Sequence, residues 1–392
     1  MFMLKTIKNI LLTIRDTIVL RYIPSNLARK IVGHYDYAFL IHPRNHEDFL
    51  RQYPAFRYLN KKITAYVMSF FGPILVSEIT GLSDKDGSKK RGLLISLLYT
   101  PEMLFFRRAA AEKSIVRAAQ LCEKLGVTVI GLGALTSSIS SRGKKIINHV
   151  KKIGVTTGHA NTVVVVVRNL MRVFHYLELR QKQTSICIIG GAGSVGNACL
   201  RLLIKKGFRD FVLVDHKFEL LKEQSEDLKS KYNNLKLQLF DKVPNFLSSD
   251  FIITATNAPY AVLFASMLKP GAVILDDAQP SDMDSSLSSR YDILPVEAGI
   301  IRLPGVNANF NFGLEYTDDV FGCLGEAMLL SWAKREGHYV VDNVRDEQLE
   351  EVEQLQDQVG FVDAELRSFG KVYSLDDLEK IKKARHSWMV SI

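Results

Sequence analysis

Cys323 is the side chain in this sequence best placed for covalent chemistry. It sits in DDVFGCLGEAMLLSW, between Gly322 and Gly325, where a loop carrying Asp318 and Asp319 is expected to turn into a helix. A thiol near a helix N-terminus ionises more readily than a free one and becomes the better nucleophile. The same local sequence reads equally well as a buried structural cysteine. Cys122, Cys187 and Cys199 stand among apolar neighbours and read as small core residues. With no Cys-x-x-Cys pairing among the four, neither a disulfide framework nor a zinc knuckle is indicated, which suits a reducing cytoplasm. His42 and His46 have the four-residue spacing of a helical metal pair, but Pro43 disfavours helical geometry at His42, so packing histidines and no metal are expected.

A second chemistry is written in glycine. The apolar run from Ser185 to Ile189 passes into GGAGSVG and then a helix starting at Ser194, so Gly191, Gly193 and Gly196 form G-x-G-x-x-G at a strand-to-helix turn. In that reading Gly191 makes the tight turn, Gly193 lets the backbone approach a pyrophosphate, and Gly196 lets helix and strand pack closely. The N–H groups of the helix start, at Ser194 and Val195, would face the phosphates. A second strand, Phe211 to Val214, ends in Asp215, 24 residues after Gly191, as a dinucleotide-binding unit requires. Asp215 would accept the ribose hydroxyls of NADH and repel the extra phosphate of NADPH, with His216 and Lys217 as offsetting charge. Two further strands, Phe251 to Ala255 and Ala272 to Leu275, end in TNAP and DDAQP, which puts Thr256 and Asn257 at the carboxyl edge of the sheet.

The elements that must position these groups alternate in type. Ile74 to Ile79 and Leu93 to Tyr99 are strand-like runs around DKDGSKKRG and predict a hairpin. A helix follows from Pro101 to Leu125, closed by Gly126, and Val127 to Leu132 reads as a buried strand leading into GALTSS. Five consecutive valines, Val163 to Val167, favour a strand by propensity, yet the apolar spacing through Leu170, Val173 and Tyr176 predicts a helix begun at Thr157 and Gly158. The fold class expected is α/β: a Rossmann-type doubly wound parallel sheet, a second α/β substrate domain and a helical C-terminal region. The divisions expected are residues 1–75 as a basic N-terminal extension, 76–180 as the substrate domain, 181–312 as the dinucleotide domain with QKQT at its border, and 313–392 as a helical region carrying Cys323.

Four separated blocks, TPEMLFFRRAAAEKSIVRAAQLCEKLGVTVIGLGALTS, GVTTGHANT, GGAGSVGNACLRLL and FGCLGEAMLL, occur in an order that resembles the aldehyde-forming long-chain acyl-(acyl carrier protein) reductases of alkane-producing photosynthetic bacteria. The resemblance covers roughly residues 76–335. It implies that Cys323 accepts a fatty acyl group from a carrier-protein thioester, which NADPH reduces to a fatty aldehyde. Coenzyme A stays open as the acyl donor. The chain departs from the family in residues 1–75, which precede the family's usual start, and after TTG, where His159-Ala160-Asn161 replaces an asparagine, a threonine and a histidine. His159 is the candidate proton donor, since imidazole titrates near neutrality, with helix capping as its structural alternative. The cofactor is NADPH by resemblance or NADH by Asp215. Two other functions fit the same residues: a shikimate-type dehydrogenase of a small carbonyl or hydroxy acid, in which Cys323 is incidental, and a non-catalytic dinucleotide-binding protein at a membrane.

Composition narrows the classes further. The chain has 392 residues, 47% hydrophobic and 24% charged, enough for a large core and two or three domains. Its net charge of +9 is concentrated, because residues 1–72 hold eleven lysines and arginines against four carboxylates. That bias points to an anionic lipid surface or an acidic partner; no nucleic-acid-reading module is recognisable. Lys5, Lys8, Arg15, Asp16 and Arg21 interrupt the terminal apolar segment, which excludes a spanning helix and makes a poor secretory signal. Met3, Ile7, Ile10, Leu11, Ile14 and Ile18 share a helical face with Lys5, Lys8 and Arg15 off it, so residues 1–30 are expected to lie on a membrane surface or to pack on the protein. The expected location is cytoplasmic, peripheral on the inner face of the membrane.

Overall fold

The computed structural model describes residues 2–68 and 70–391 and divides into two compact units. The first takes residues up to 158 together with 302–343 and 354–361; the second takes 159–301, 344–353 and 362–392.

In the first unit, β1 (Tyr37–Ile41), β2 (Ile74–Ser83), β3 (Lys89–Ser96), β4 (Val129–Leu132) and β5 (Gly154–Thr156) form one sheet in the order β2-β3-β1-β4-β5. The hairpin of β2 and β3 is antiparallel, and the other pairs are parallel. Parallel strands need covered faces, and Ala38, Leu40, Ile95 and Ile130 are accordingly fully buried. Side chains fit across β1 by alternating large and small: Tyr37 lies opposite Gly92, where a Cβ would fall 2.4 Å from the tyrosine ring. The helices α1 (Phe2–Ile14), α2 (Lys61–Met68), α3 (Pro101–Phe106) and α4 (Arg108–Leu125) belong to this unit. The single helix expected from Pro101 to Leu125 is broken at Arg107, whose ψ of 42° ends α3. Gly126 closes α4 in the left-handed conformation, as expected.

The second unit is doubly wound. Its strands β6 (Ser185–Ile189), β7 (Asp210–Val214), β8 (Lys236–Phe240), β9 (Phe251–Thr254), β10 (Val273–Asp276) and β11 (Leu294–Glu297) are all parallel, in the order β11-β10-β9-β6-β7-β8. The chain winds one way from β6 and the other way from β9, so the switch point at which such sheets bind ligands lies between those two strands. Around the sheet run α5 (His159–Tyr176), α6 (Ser194–Lys205) and α7 (Phe218–Lys231). The five valines of α5 are helical and all buried. β-branching costs a helix only tenths of a kcal/mol per residue, about 0.7 at most, whereas burying each valine gains about 1.5 kcal/mol or more, so packing overrides propensity.

The fold class is the α/β arrangement expected, but the divisions differ. β1 comes from within residues 1–75 and is the middle strand of the first sheet, so that segment is no mere extension. Residues 313–392 are also shared out. The helix Gly322–Trp332 lies on β4 and β1 of the first unit, whereas the helix Leu375–Ser391 belongs to the second. There Asp250 accepts from Arg385 Nη1 at 2.5 Å and from Lys269. Burial alone would raise the Asp250 carboxyl; the Arg385 and Lys269 charges overcome this and hold it below its ordinary value.

Candidate functional site

The glycine turn expected to cradle a dinucleotide lies at the end of β6. Gly190 turns the chain with φ +90°, and a Cβ there would lie 2.5 Å from the Ala255 carbonyl oxygen beyond β9. Gly191 follows inside this turn, which the Gly193 N–H closes on the Gly190 carbonyl at 2.9 Å. A Cβ on Gly196 would fall 2.3 Å from the Gly190 carbonyl oxygen, and one on Gly193 would fall 3.0 Å from it. What remains is a hollow at the start of α6, with Gly193 at the N-cap and the N–H groups of Ser194 and Val195 in the first turn. These residues fit a pyrophosphate.

Asp215 follows β7 directly and is buried. Its Oδ2 accepts the Ala192 N–H at 3.0 Å and its Oδ1 the Lys217 N–H at 2.9 Å, so it braces the glycine turn from the end of β7. The His216 side chain is 84% exposed, its Nδ1 3.4 Å from Asp215 Oδ1, and Lys217 is exposed beside it. His159 opens α5 and meets the cradle: its Nδ1 lies 3.1 Å from the hydroxyl of Ser194. Thr256 donates through its hydroxyl to Asp282 at 2.6 Å and through its N–H at 3.1 Å, while Asn257 is exposed.

Asp282 belongs to a carboxyl cluster with Asp276 and Asp277, in a stretch whose sequence shows only a polar loop. Asp276 accepts from Thr254 Oγ1 at 2.7 Å and from Ser281 Oγ at 2.5 Å. Burial, with Asp276 close by, pushes Asp282 up to about 7. Burial, together with Asp276 and Asp282, holds Asp277 well above the usual carboxylate range.

Cys323 lies in the first unit, in the first turn of the helix Gly322–Trp332, with Phe321 at the N-cap. It is partly exposed, whereas the other three cysteines are fully buried. Burial pushes the Cys122 and Cys187 thiols up to about 12 and raises Cys199 likewise, which leaves these three as inert core residues. β5 runs into Thr157 and Gly158, and this turn presses on Cys323: at Gly158, φ +77°, a Cβ would lie 2.3 Å from both Cα and Cβ of the cysteine. Glu326, one helical turn beyond Cys323, is fully buried and accepts from Thr156 Oγ1. The same Thr156 oxygen accepts from the Val340 N–H at 3.3 Å and the Gly158 N–H at 3.5 Å. Glu326 thus ties down the turn on which Cys323 rests. Among the described residues the buried Thr157 hydroxyl has no hydrogen-bond partner. Neither Glu326 nor Thr157 was among the expected site residues; a carboxylate inside the otherwise apolar CLGEAMLL was the signal for the first.

Among the described residues, no group of three His, Cys, Asp or Glu side chains is arranged to hold a metal ion. His42 is bonded at both ring nitrogens, accepting from the Leu135 N–H at 3.3 Å and donating to the Pro43 carbonyl at 2.8 Å, and burial lowers its pKa. His46 stacks on Phe49.

Comparison with known proteins adds the following. Residues 173–294 match the family described as Shikimate / quinate 5-dehydrogenase. The chain is 27% identical over 304 residues to the Aminotransferase PigE of a Serratia species, an alignment spanning 74% of this chain and 34% of that protein. It thus spans about a third of that relative's length. It is 26% identical over 281 residues to the Long-chain acyl-[acyl-carrier-protein] reductase of Synechococcus elongatus, over 66% of this chain and 78% of that protein. Among solved structures, L-tryptophan dehydrogenase from Nostoc punctiforme aligns with 91% of this chain and 88% of its own at 11% identity and a TM-score of 0.29, too slight a likeness to support an inference. The chain is therefore similar to an acyl-carrier-protein reductase over two thirds of its length, and most of the stretch that matches the dehydrogenase family lies in its second unit, which is consistent with an NAD(P)-dependent oxidoreductase.

Proposed function

We propose that this protein is an NAD(P)H-dependent reductase of long-chain fatty acyl thioesters that releases a fatty aldehyde, with Cys323 as the acyl acceptor. The observation that carries this reading is the setting of Cys323: partly exposed, in the first turn of a helix, and backed by a glycine with no room for a methyl group. Attack of its sulfur on the thioester carbonyl expels the donor thiol and exchanges one thioester for another, a step nearly balanced in free energy. The N–H groups of the helix start and the Thr157 hydroxyl are donors of the kind that stabilise an oxyanion. NAD(P)H, when bound at the Gly190 turn, supplies the hydride that converts the acyl group to aldehyde and frees the cysteine. His159, held by Ser194, is the proposed proton donor. The similarity to the Synechococcus reductase supports acyl carrier protein as the donor, with coenzyme A as the alternative. Asp215 supports NADH; the exposed His216 and Lys217 support NADPH.

The match over residues 173–294 favours a second reading, direct hydride exchange with a small carbonyl or hydroxy acid, in which Cys323 is a spectator. Intact mass spectrometry after incubation with acyl thioesters separates the two. The proposal expects an acyl adduct on the wild-type chain, its loss in Cys323→Ser, and aldehyde on addition of reduced cofactor. Full turnover by Cys323→Ser, or oxidation of a hydroxy acid without any adduct, would overturn it.

A further inference from the structure

The N-terminal helix is turned inside out relative to the usual amphipathic arrangement. Its polar side is the one fastened to the protein. Thr13 shares a hydrogen bond with the Tyr53 hydroxyl at 2.6 Å, Asp16 accepts the Leu75 N–H at 2.8 Å, and Thr17 accepts the Gly72 N–H at 3.2 Å. Thr13, Asp16 and Leu20 are buried. The apolar stripe faces away. Ile7, Leu11, Ile14 and Ile18, spaced by four, three and four residues along α1 and the π turn Arg15–Val19, are all exposed, Leu11 by 62%. Met3 and Lys5, which the sequence pattern also assigned to this helix, lie outside the residues whose side chains are described.

Other elements of the same unit expose apolar groups too. Tyr66 and Phe70, at and just beyond the end of α2, pack edge to face at 5.0 Å; Arg107 lies 5.1 Å over the Tyr66 ring, and the neighbouring Phe106 is 90% exposed. An apolar stripe left in water along one helix, as at Ile7, Leu11, Ile14 and Ile18, marks an interaction surface.

Charge selects the partner. Residues 1–35 contain six lysines and arginines and one carboxylate, Asp16, which is buried and paired with Arg15 at 2.7 Å. Lys8 and Arg21, on the same helical run as the stripe, and Arg29 and Lys30, on the next helix, are exposed. A second copy docking here through a two-fold axis would set these cations against themselves. An anionic lipid surface takes both features, since the stripe inserts between headgroups and the basic rim pairs with their phosphates. We propose that this face of the first unit docks on an anionic bilayer. No described helix is long and apolar enough to cross a membrane, so the attachment is peripheral. This inference does not depend on the chemistry at Cys323.

Co-sedimentation of the full chain with vesicles tests it. One set is phosphatidylglycerol and phosphatidylcholine in equal parts, the other phosphatidylcholine alone. Binding is expected to the anionic set, weakening as salt rises from about 0.1 to about 1 M and the screening length falls from about 10 to about 3 Å. The double variant Leu11→Asp with Ile14→Asp, and separately Ile7→Asp with Ile18→Asp, should each cut the partition coefficient by about tenfold or more while leaving the melting temperature and cofactor affinity unchanged. No binding to anionic vesicles, equal binding to both sets, or undiminished binding by the variants would overturn the proposal. So would a wild-type dimer that the double variant dissociates with no lipid binding in either form, because the face would then be a contact between copies.

Discussion

Replacing Gly158 by alanine tests the contact on which the Cys323 site rests. At φ +77° an alanine is strained by about 1 kcal/mol. Its methyl carbon would also lie 2.3 Å from Cα and Cβ of Cys323 and 2.8 Å from its carbonyl oxygen. Carbon atoms pack at about 3.5 Å or more, so the turn or the helix must give way by roughly 1 Å. Forcing one such group into a packed site costs about 1–3 kcal/mol, for a total of about 2–4 kcal/mol. A displacement of that size at a nucleophile slows its reaction by about a hundredfold. Gly337→Ala is the matched control: its φ is +79°, but nothing lies within 4 Å of the position a Cβ would take, so it carries the strain without the collision. Calorimetry of both variants should show a drop of a few degrees for Gly337→Ala and roughly 5–10 °C for Gly158→Ala. Rapid-quench mass spectrometry with a soluble acyl thioester and no cofactor should find Gly337→Ala acylated at the wild-type rate and Gly158→Ala about a hundredfold slower. Wild-type acylation by folded Gly158→Ala would refute the reasoning, as would identical behaviour of the two variants.

At the cradle, Gly193→Val places a branched side chain 3.0 Å from the Gly190 carbonyl and into the hollow, so the dissociation constant for NAD(P)H should rise by more than about tenfold in calorimetric titration; an unchanged constant in a folded variant contradicts the phosphate assignment. Asp215→Ser removes a like charge from the place a ribose phosphate would occupy and should raise the ratio of NADPH to NADH kcat/KM by about tenfold. It also removes the acceptor of the Ala192 N–H, so absolute affinity for both cofactors should fall; an unshifted ratio would mean the carboxylate only braces the loop. Asp282 titrates at about 7 in the folded chain against an ordinary 3.8. The unfolded chain loses that proton first, so the stability present below about pH 4 is lost as pH rises to about 7. Asp282→Asn should flatten the fall of melting temperature across that window, and an unaltered slope would show that Asp282 is not its source.

Local chemistry was legible from the sequence because its signals are short in range. The strand at Ser185 to Ile189, the glycine turn and the helix at Ser194 depend on neighbours within about ten residues, and they stand where the pattern puts them. What the pattern did not show is that Gly190, just ahead of it, takes a positive φ. The helical reading of Val163 to Val167 followed from spacing that continued past the valines, which propensity could not weigh.

By itself, then, the sequence determined the α/β class, the glycine turn between strand and helix, and the hairpin, because periodicity and glycine act along the chain. Only tertiary structure decided that Tyr37 to Ile41 is the centre of a sheet, since parallel partners are brought together by long crossovers that leave no mark on either strand. It also decided that Gly158 and Glu326 hold the Cys323 turn, and that the carboxyls of Asp276, Asp277 and Asp282 share one sheet edge. Those groups are distant or unremarkable in sequence, and their roles and raised pKa values exist only where folding has removed water and fixed the distances between them. The outward turn of Ile7, Leu11, Ile14 and Ile18 is the same lesson on a surface: spacing shows that a stripe exists, and only the hydrogen bonds of Thr13, Asp16 and Thr17 determine which side of the helix meets the protein.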